Sequence, residues 1–134
     1  MKFLSSTWLL GLFMSSFGAN AITVTLYKPD GGTPNGFAVN ADGSCFDLHG
    51  GLLQQYNDQL GFMKFPAGYT CTLWKDYGCH GAHSDAFHAD GGKVPIGDIC
   101  TNGLAGSSKW PGLTSSFKCC PAGAWCAGGQ PKCT

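Results

Sequence analysis

The sequence predicts a small all-β domain, two four-stranded units packed face to face and stapled by disulfides. Three observations carry that expectation. The chain has no Glu and no Arg but 21 Gly, and Glu, Lys, Gln and Arg are the residues that build solvated helix faces. Eight cysteines follow what reads as an export signal. A strand-and-turn pattern also occurs twice along the chain.

The export signal comes first. Met1-Lys2 is followed by an apolar stretch from Phe3 to Phe17, broken only by small residues and serines, and then by Ala19-Asn20-Ala21. A basic start, an apolar middle and a small-x-small end make a secretory signal peptide over residues 1–21, with the cut expected before Ile22. The apolar part is short of the roughly 20 residues a membrane span needs, so no stable membrane insertion is expected after cleavage. Residues 22–134 then form one domain with seven Lys against eight Asp, a balance of −1. That balance argues against nucleic acid or an anionic membrane as a partner drawn by bulk electrostatics. The expected product is a secreted, extracellular monomer.

Cys45, Cys71, Cys79, Cys100, Cys119, Cys120, Cys126 and Cys133 all lie beyond the signal. In an oxidising route they read as four disulfides, which offset a small core and the entropy lost at many glycines. The spacing lacks any C-x-x-C pair, which argues against structural zinc. The sequence leaves the pairing open, with one restriction. Neighbours on a strand point to opposite faces, so Cys119 and Cys120 are expected to bond to different parts of the fold.

The repeat begins with Val24-Thr25-Leu26-Tyr27-Lys28, which returns 47 positions later as Cys71-Thr72-Leu73-Trp74-Lys75. Both alternate with the period of a strand. Asp42-Gly43 then separates Phe37-Ala38-Val39 from Cys45-Phe46-Asp47-Leu48, and Asp90-Gly91-Gly92 separates Ala86-Phe87-His88 from Lys93-Val94-Pro95-Ile96. Asp-Gly between apolar runs is a hairpin signal, so two hairpins are expected here. The units close alike, with Met63-Lys64-Phe65 returning as Phe117-Lys118-Cys119. The first unit is placed at 22–67, the second, with a longer loop from Gly97 to Gly112, at 68–119, and a disulfide-pinned tail at 120–134.

With these carriers the chain resembles the βγ-crystallin superfamily, and within it the cysteine-rich microbial killer-toxin and fungal effector branch. The carriers in the second unit are Trp74, Cys79 with Gly81, and Thr114-Ser115-Ser116; in the first they are Tyr27, Gly36 and Asn57-Asp58. The resemblance covers Ile22 to Cys119 and implies a βγ-crystallin-like β-sandwich of two Greek keys, stapled by disulfides. It also implies calcium, held by an acidic pair and a hydroxyl. Asn57-Asp58 supplies acid in the first unit, where Gly61 replaces the hydroxyl, and Thr114, Ser115 and Ser116 follow Trp110-Pro111-Gly112 without acids in the second. Each half-site reads as broken, so calcium binding is expected to be weak or absent, and no metal or cofactor is assigned.

His80, His83 and His88 read as surface residues of a hairpin, because odd and even members of a strand face opposite ways. No G-x-S-x-G elbow or oriented nucleophile and base appears, and an enzyme is not expected. Most of the many aromatic residues must be core. Trp110, in the longer loop, and Trp125, in the tail, are the candidates for an exposed contact surface, since their Gly-rich surroundings promise little burial. The resemblance then implies a non-enzymatic effector or killer-type toxin that binds a host or competitor target, a protein or a cell-wall component. The alternative is a structural, wall-associated protein or a calcium- or carbohydrate-binding relative.

Overall fold

A computed structural model of the chain describes residues 21–101, 110–124 and 126. Residues 1–20, all but the last of the expected signal peptide, lie outside the described residues, as do Trp125 and Cys133. The described residues form eight strands: β1 (Ala21–Tyr27), β2 (Asn35–Asn40), β3 (Phe46–Asp47), β4 (Phe62–Lys64), β5 (Tyr69–Asp76), β6 (His80–His83), β7 (Lys93–Pro95) and β8 (Ser116–Pro121). The described helical elements are short 3₁₀ turns over Gly51–Tyr56, Ile96–Asp98 and Trp110–Gly112. All strand pairs are antiparallel.

The alternation read from the sequence is the alternation in space. Ile22, Val24 and Leu26 of β1 are buried and Thr23 and Thr25 face outward, as side chains on a strand must alternate. The repeat is equally literal. The first strand of each unit, β1 or β5, pairs with the closing strand, β4 or β8, and Tyr27 opposite Phe62 corresponds to Trp74 opposite Ser116.

The strand orders are β2-β1-β4-β7 in one sheet and β3-β8-β5-β6 in the other. In each unit the first, second and fourth strands lie together, as in a Greek key, while the third strand is lent to the opposite sheet. This corrects the two expected hairpins. Asp42-Gly43 does not join paired strands, since β2 lies in the first sheet and β3 in the second. Ala86-Phe87-His88 is not a strand at all: Phe87 makes one bridge to Cys71 of β5, and the chain then crosses to the first sheet as β7. The turns themselves are sharp, with positive φ at Gly43 and Gly91, and Asp42 caps its own by accepting from the Ser44 amide at 3.0 Å. A sharp turn is a local event, and crossing lets the runs on either side of it contribute to the core from opposite sheets.

That core takes Val24, Leu26 and Met63 from the first sheet and Cys71, Leu73, Phe117 and Cys119 from the second. Each large side chain buried there contributes about 1.5–3 kcal/mol relative to exposure. A run of rings joins the sheets along one edge, Tyr56 to Phe37 at 6.3 Å, Phe37 to Phe46 at 6.1 Å and Phe46 to Phe117 at 5.0 Å.

The disulfides follow the layers. Cys71–Cys119 links opposed residues of β5 and β8 inside the core, Cys45–Cys79 ties the first unit to the second, and Cys120–Cys126 pins the start of the tail. Cys100 is disulfide-bonded as well. Adjacent Cys119 and Cys120 bond in different directions.

Candidate contact surface

The turn between β5 and β6 is exposed but is fastened to its own sheet. Ser116 on β8 holds it, its hydroxyl donating to the Asp76 carbonyl at 2.6 Å and accepting from the Cys79 amide at 3.0 Å. Asp47 on β3 accepts from the Gly78 amide at 2.7 Å, and the Cys45–Cys79 bridge closes the same contact covalently. The backbone conformation demands small residues: Gly78 and Gly81 have φ of 72° and 83°, and a Cβ on Gly81 would lie 2.5 Å from Asp76 Oδ2. Glycine meets that requirement without strain.

Tyr77 rides on this clamped turn. It is 40% exposed, one of two large hydrophobic side chains that remain so among the described residues, and its ring lies edge-on to His49 at 5.3 Å. The other is Leu52, at 64%, three residues beyond His49. His80 is exposed on the strand that leaves the turn. An exposed tyrosine on a rigid frame loses little conformational entropy on binding, which is why such rings are common at recognition surfaces.

Trp110 is not part of any such surface. It is 3% exposed and belongs to the core, which overturns its reading as an exposed contact. The reason is local satisfaction: the indole N–H donates to Thr101 Oγ1 at 2.9 Å, and the Trp110 carbonyl accepts from the Thr114 hydroxyl at 2.7 Å. With its one polar atom paired, the ring loses nothing by burial. Tyr56 is its counterpart in the first unit, fully buried, with its hydroxyl donating to the Thr33 carbonyl. The offset between the closing strands pairs these two positions, a signal in the sequence that points to burial. Trp125, the other candidate, lies outside the described residues.

His80, His83 and His88 are all exposed. His83 stacks on Trp74 at 5.3 Å with Nδ1 2.8 Å from the Ser84 carbonyl, and Trp74 also carries Lys118 Nζ at 5.2 Å from its ring centre. Among the described residues no group of three or more His, Cys, Asp or Glu converges. Ser84, fully buried, spends its hydroxyl on backbone, accepting from the Leu73 amide at 2.9 Å and donating to the Asp85 carbonyl at 2.8 Å.

A second polar cluster forms where the units meet. Ser115 of the second unit donates to Asp58 Oδ1 of the first at 3.5 Å, the Asp58 amide donates to the Thr114 carbonyl at 3.0 Å, and Asn57 Oδ1 is buried without a partner. The premise that both half-sites are broken therefore needs correction. The acid of one unit meets the hydroxyl of the other, because Ser115 and Gly61 occupy matching places, each donating its amide to the last residue or last core-sheet aromatic of a first strand, Trp74 or Tyr27. Asp58 and Ser115 thus bring one carboxylate and one hydroxyl together across the units, hard oxygens of the kind a calcium ion takes, and two fall well short of the six to eight a tight site supplies. The reciprocal position has Gly61 and Gly112 and offers no such side chains.

No protein-family model and no curated protein matches the chain. Among solved structures it is similar to the crystal structure of a βγ-crystallin domain from Flavobacterium johnsoniae, at 18% identity and a TM-score of 0.46, over 75% of this chain and 96% of that one.

Proposed function

We propose that this protein is a secreted, non-enzymatic binding module, an effector or killer-type toxin that engages a host or competitor target through a rigid surface. The observation that carries the reading is Tyr77, an exposed ring on a turn fixed by the Cys45–Cys79 bridge, Asp47 and Ser116. A turn held from three sides presents the same surface to each partner, and its binding energy is not spent on ordering a loop. The test applies the purified, oxidised protein to plant tissue and to competing microbes. Killing or a host response that is lost in Tyr77→Ala, with the melting temperature unchanged, supports the reading. Inert protein recovered in the wall fraction of the producing cell overturns it in favour of a structural role.

The cross-unit cluster favours a second reading, an extracellular structural module steadied by calcium. Asp58 and Ser115 would hold the ion. With one carboxylate the affinity belongs in the weak range of about 10⁻⁴–10⁻³ M known for extracellular modules. A melting temperature that rises with millimolar calcium, and stops rising in Asp58→Asn, supports it; an unchanged melting temperature refutes it.

A further inference from the structure

The two sheets differ in their outer faces. On β5 the outward Thr70, Thr72 and Trp74 are all buried, whereas on β1 Thr23 is exposed and Thr25 half-buried. A cavity of about 290 Å³ opens on this first face, lined by Thr23 and Thr25 of β1, Lys64 of β4, and Phe65, Pro66 and Gly91. Gly36, paired with Thr25, keeps the approach low, since a Cβ there would come within 3.3 Å of Thr23 Cγ2.

The charges on this face are arranged at a cost. Lys64 of β4 stands directly opposite Lys93 of β7, and like charges in that relation destabilise a strand pair. Lys93 has its own partners: its ammonium lies 4.8 Å and 4.6 Å from the ring centres of Tyr27 and Phe62, and 3.4 Å from the Gly31 carbonyl. Among the described residues no hydrogen bond or ion pair engages the side chains of Lys64, Thr23 or Thr25. A cation and two hydroxyls thus line one small cavity with no described protein group engaging them.

We propose that this cavity binds the acidic unit of an anionic polysaccharide, a uronate. The sugar carboxylate meets Lys64, its hydroxyls exchange hydrogen bonds with Thr23 and Thr25, which can donate and accept, and the exposed Pro66 takes the apolar face of the ring. The size is at the lower end for ligand cavities, suited to one sugar ring. A phosphate group is served best by Arg forks or by several convergent backbone amides, which are not what lines this cavity. A protein partner would need a large apolar anchor, and the exposed Leu52 and Tyr77 do not line it. The proposal is independent of the Tyr77 surface on the turn between β5 and β6, and either can fail alone.

The test is titration calorimetry of the oxidised full-length mature protein with oligogalacturonate, a neutral oligoglucan, inorganic phosphate and phosphatidylserine vesicles. Oligogalacturonate is expected to bind at least about tenfold more tightly than the glucan, the discrimination that one charge-assisted hydrogen bond supplies. Lys64→Gln should lose about that factor and Lys64→Arg keep most of it, while Tyr77→Ala binds like the wild type. Rising salt should weaken the complex. Equal affinity for the neutral glucan, unchanged affinity in Lys64→Gln, preference for phosphate or vesicles, or no binding at millimolar oligogalacturonate each overturns the proposal.

Discussion

Replacing Trp110 by Ala should cost the fold dearly and leave recognition by the folded molecules untouched. The ring is 3% exposed, sits in the core and donates to Thr101 Oγ1 at 2.9 Å. Removing it forfeits the transfer energy of the indole and leaves a cavity that its neighbours fill only in part, together about 3–5 kcal/mol. For a domain of this size each kcal/mol lowers the melting temperature by about 4 °C, so the fall should be ~12–20 °C. Trp110→Phe keeps a ring and drops only the N–H with some volume, and should cost about 1–2 kcal/mol. The assay is thermal unfolding followed by circular dichroism with every disulfide intact, beside a binding or toxicity measurement normalised to folded protein. A Trp110→Ala protein that melts within about 2 °C of the wild type and yet loses activity would return the ring to the surface and refute the argument.

Three further outcomes follow from the fold. Gly61→Ala should destabilise by about 3 kcal/mol, because the added Cβ would lie 2.5 Å from the Lys28 carbonyl oxygen and against the Pro29 backbone; Gly112→Ala, with open space around it, is the near-neutral control in the same denaturant titration. Removing both Cys45 and Cys79 should cost about 4 kcal/mol by the loop-entropy account of a bridge spanning 34 residues, and limited proteolysis should then cut near Tyr77, which stays protected if the turn is held by hydrogen bonds alone. At Asp42 the Ser44 hydroxyl and amide hold the carboxyl below its ordinary value. Its stabilising effect is therefore complete above the unfolded pKa near 4 and disappears as the pH falls through the folded value. Melting temperatures between pH 6 and pH 2 should fall slightly less in Asp42→Asn than in the wild type, and identical profiles would contradict the assignment.

The sequence spoke clearly where structure is local. Alternation of residue types identified β1 and β5, and the closing repeat identified β4 and β8; in β1 that alternation is one of burial as well, whereas β5 is covered on both faces over Thr70 to Trp74. It was silent on the destination of the third strands. β3 is only Phe46–Asp47, too short for a pattern, and the Asp-Gly turn before it specifies a change of direction without specifying a sheet. The same limit explains the site. Gly-rich neighbours suggested an exposed Trp110, whereas its burial depends on a hydrogen bond to Thr101 and on core packing that composition does not encode. Tyr77 passed as one aromatic among many, since the residues that clamp its turn, Asp47 and Ser116, lie far away along the chain. Asp58 and Ser115 looked like separate ruins for the same reason.

The lending of strands between units has a consequence for the order of events during synthesis. β3 has its sheet partner in β8, the last of the described strands, and β4 is flanked by β7. The first half of the chain therefore emerges with the partner of one of its strands still unmade, and neither half contains the parts to complete a sheet by itself. Completing either sheet therefore takes strands from both halves of the chain, pairings of long sequence separation of the kind that slow folding. A chain stopped after Pro95 should stay protease-sensitive, and supplying the missing segment as a separate peptide should restore the closed sandwich only as a complementing pair.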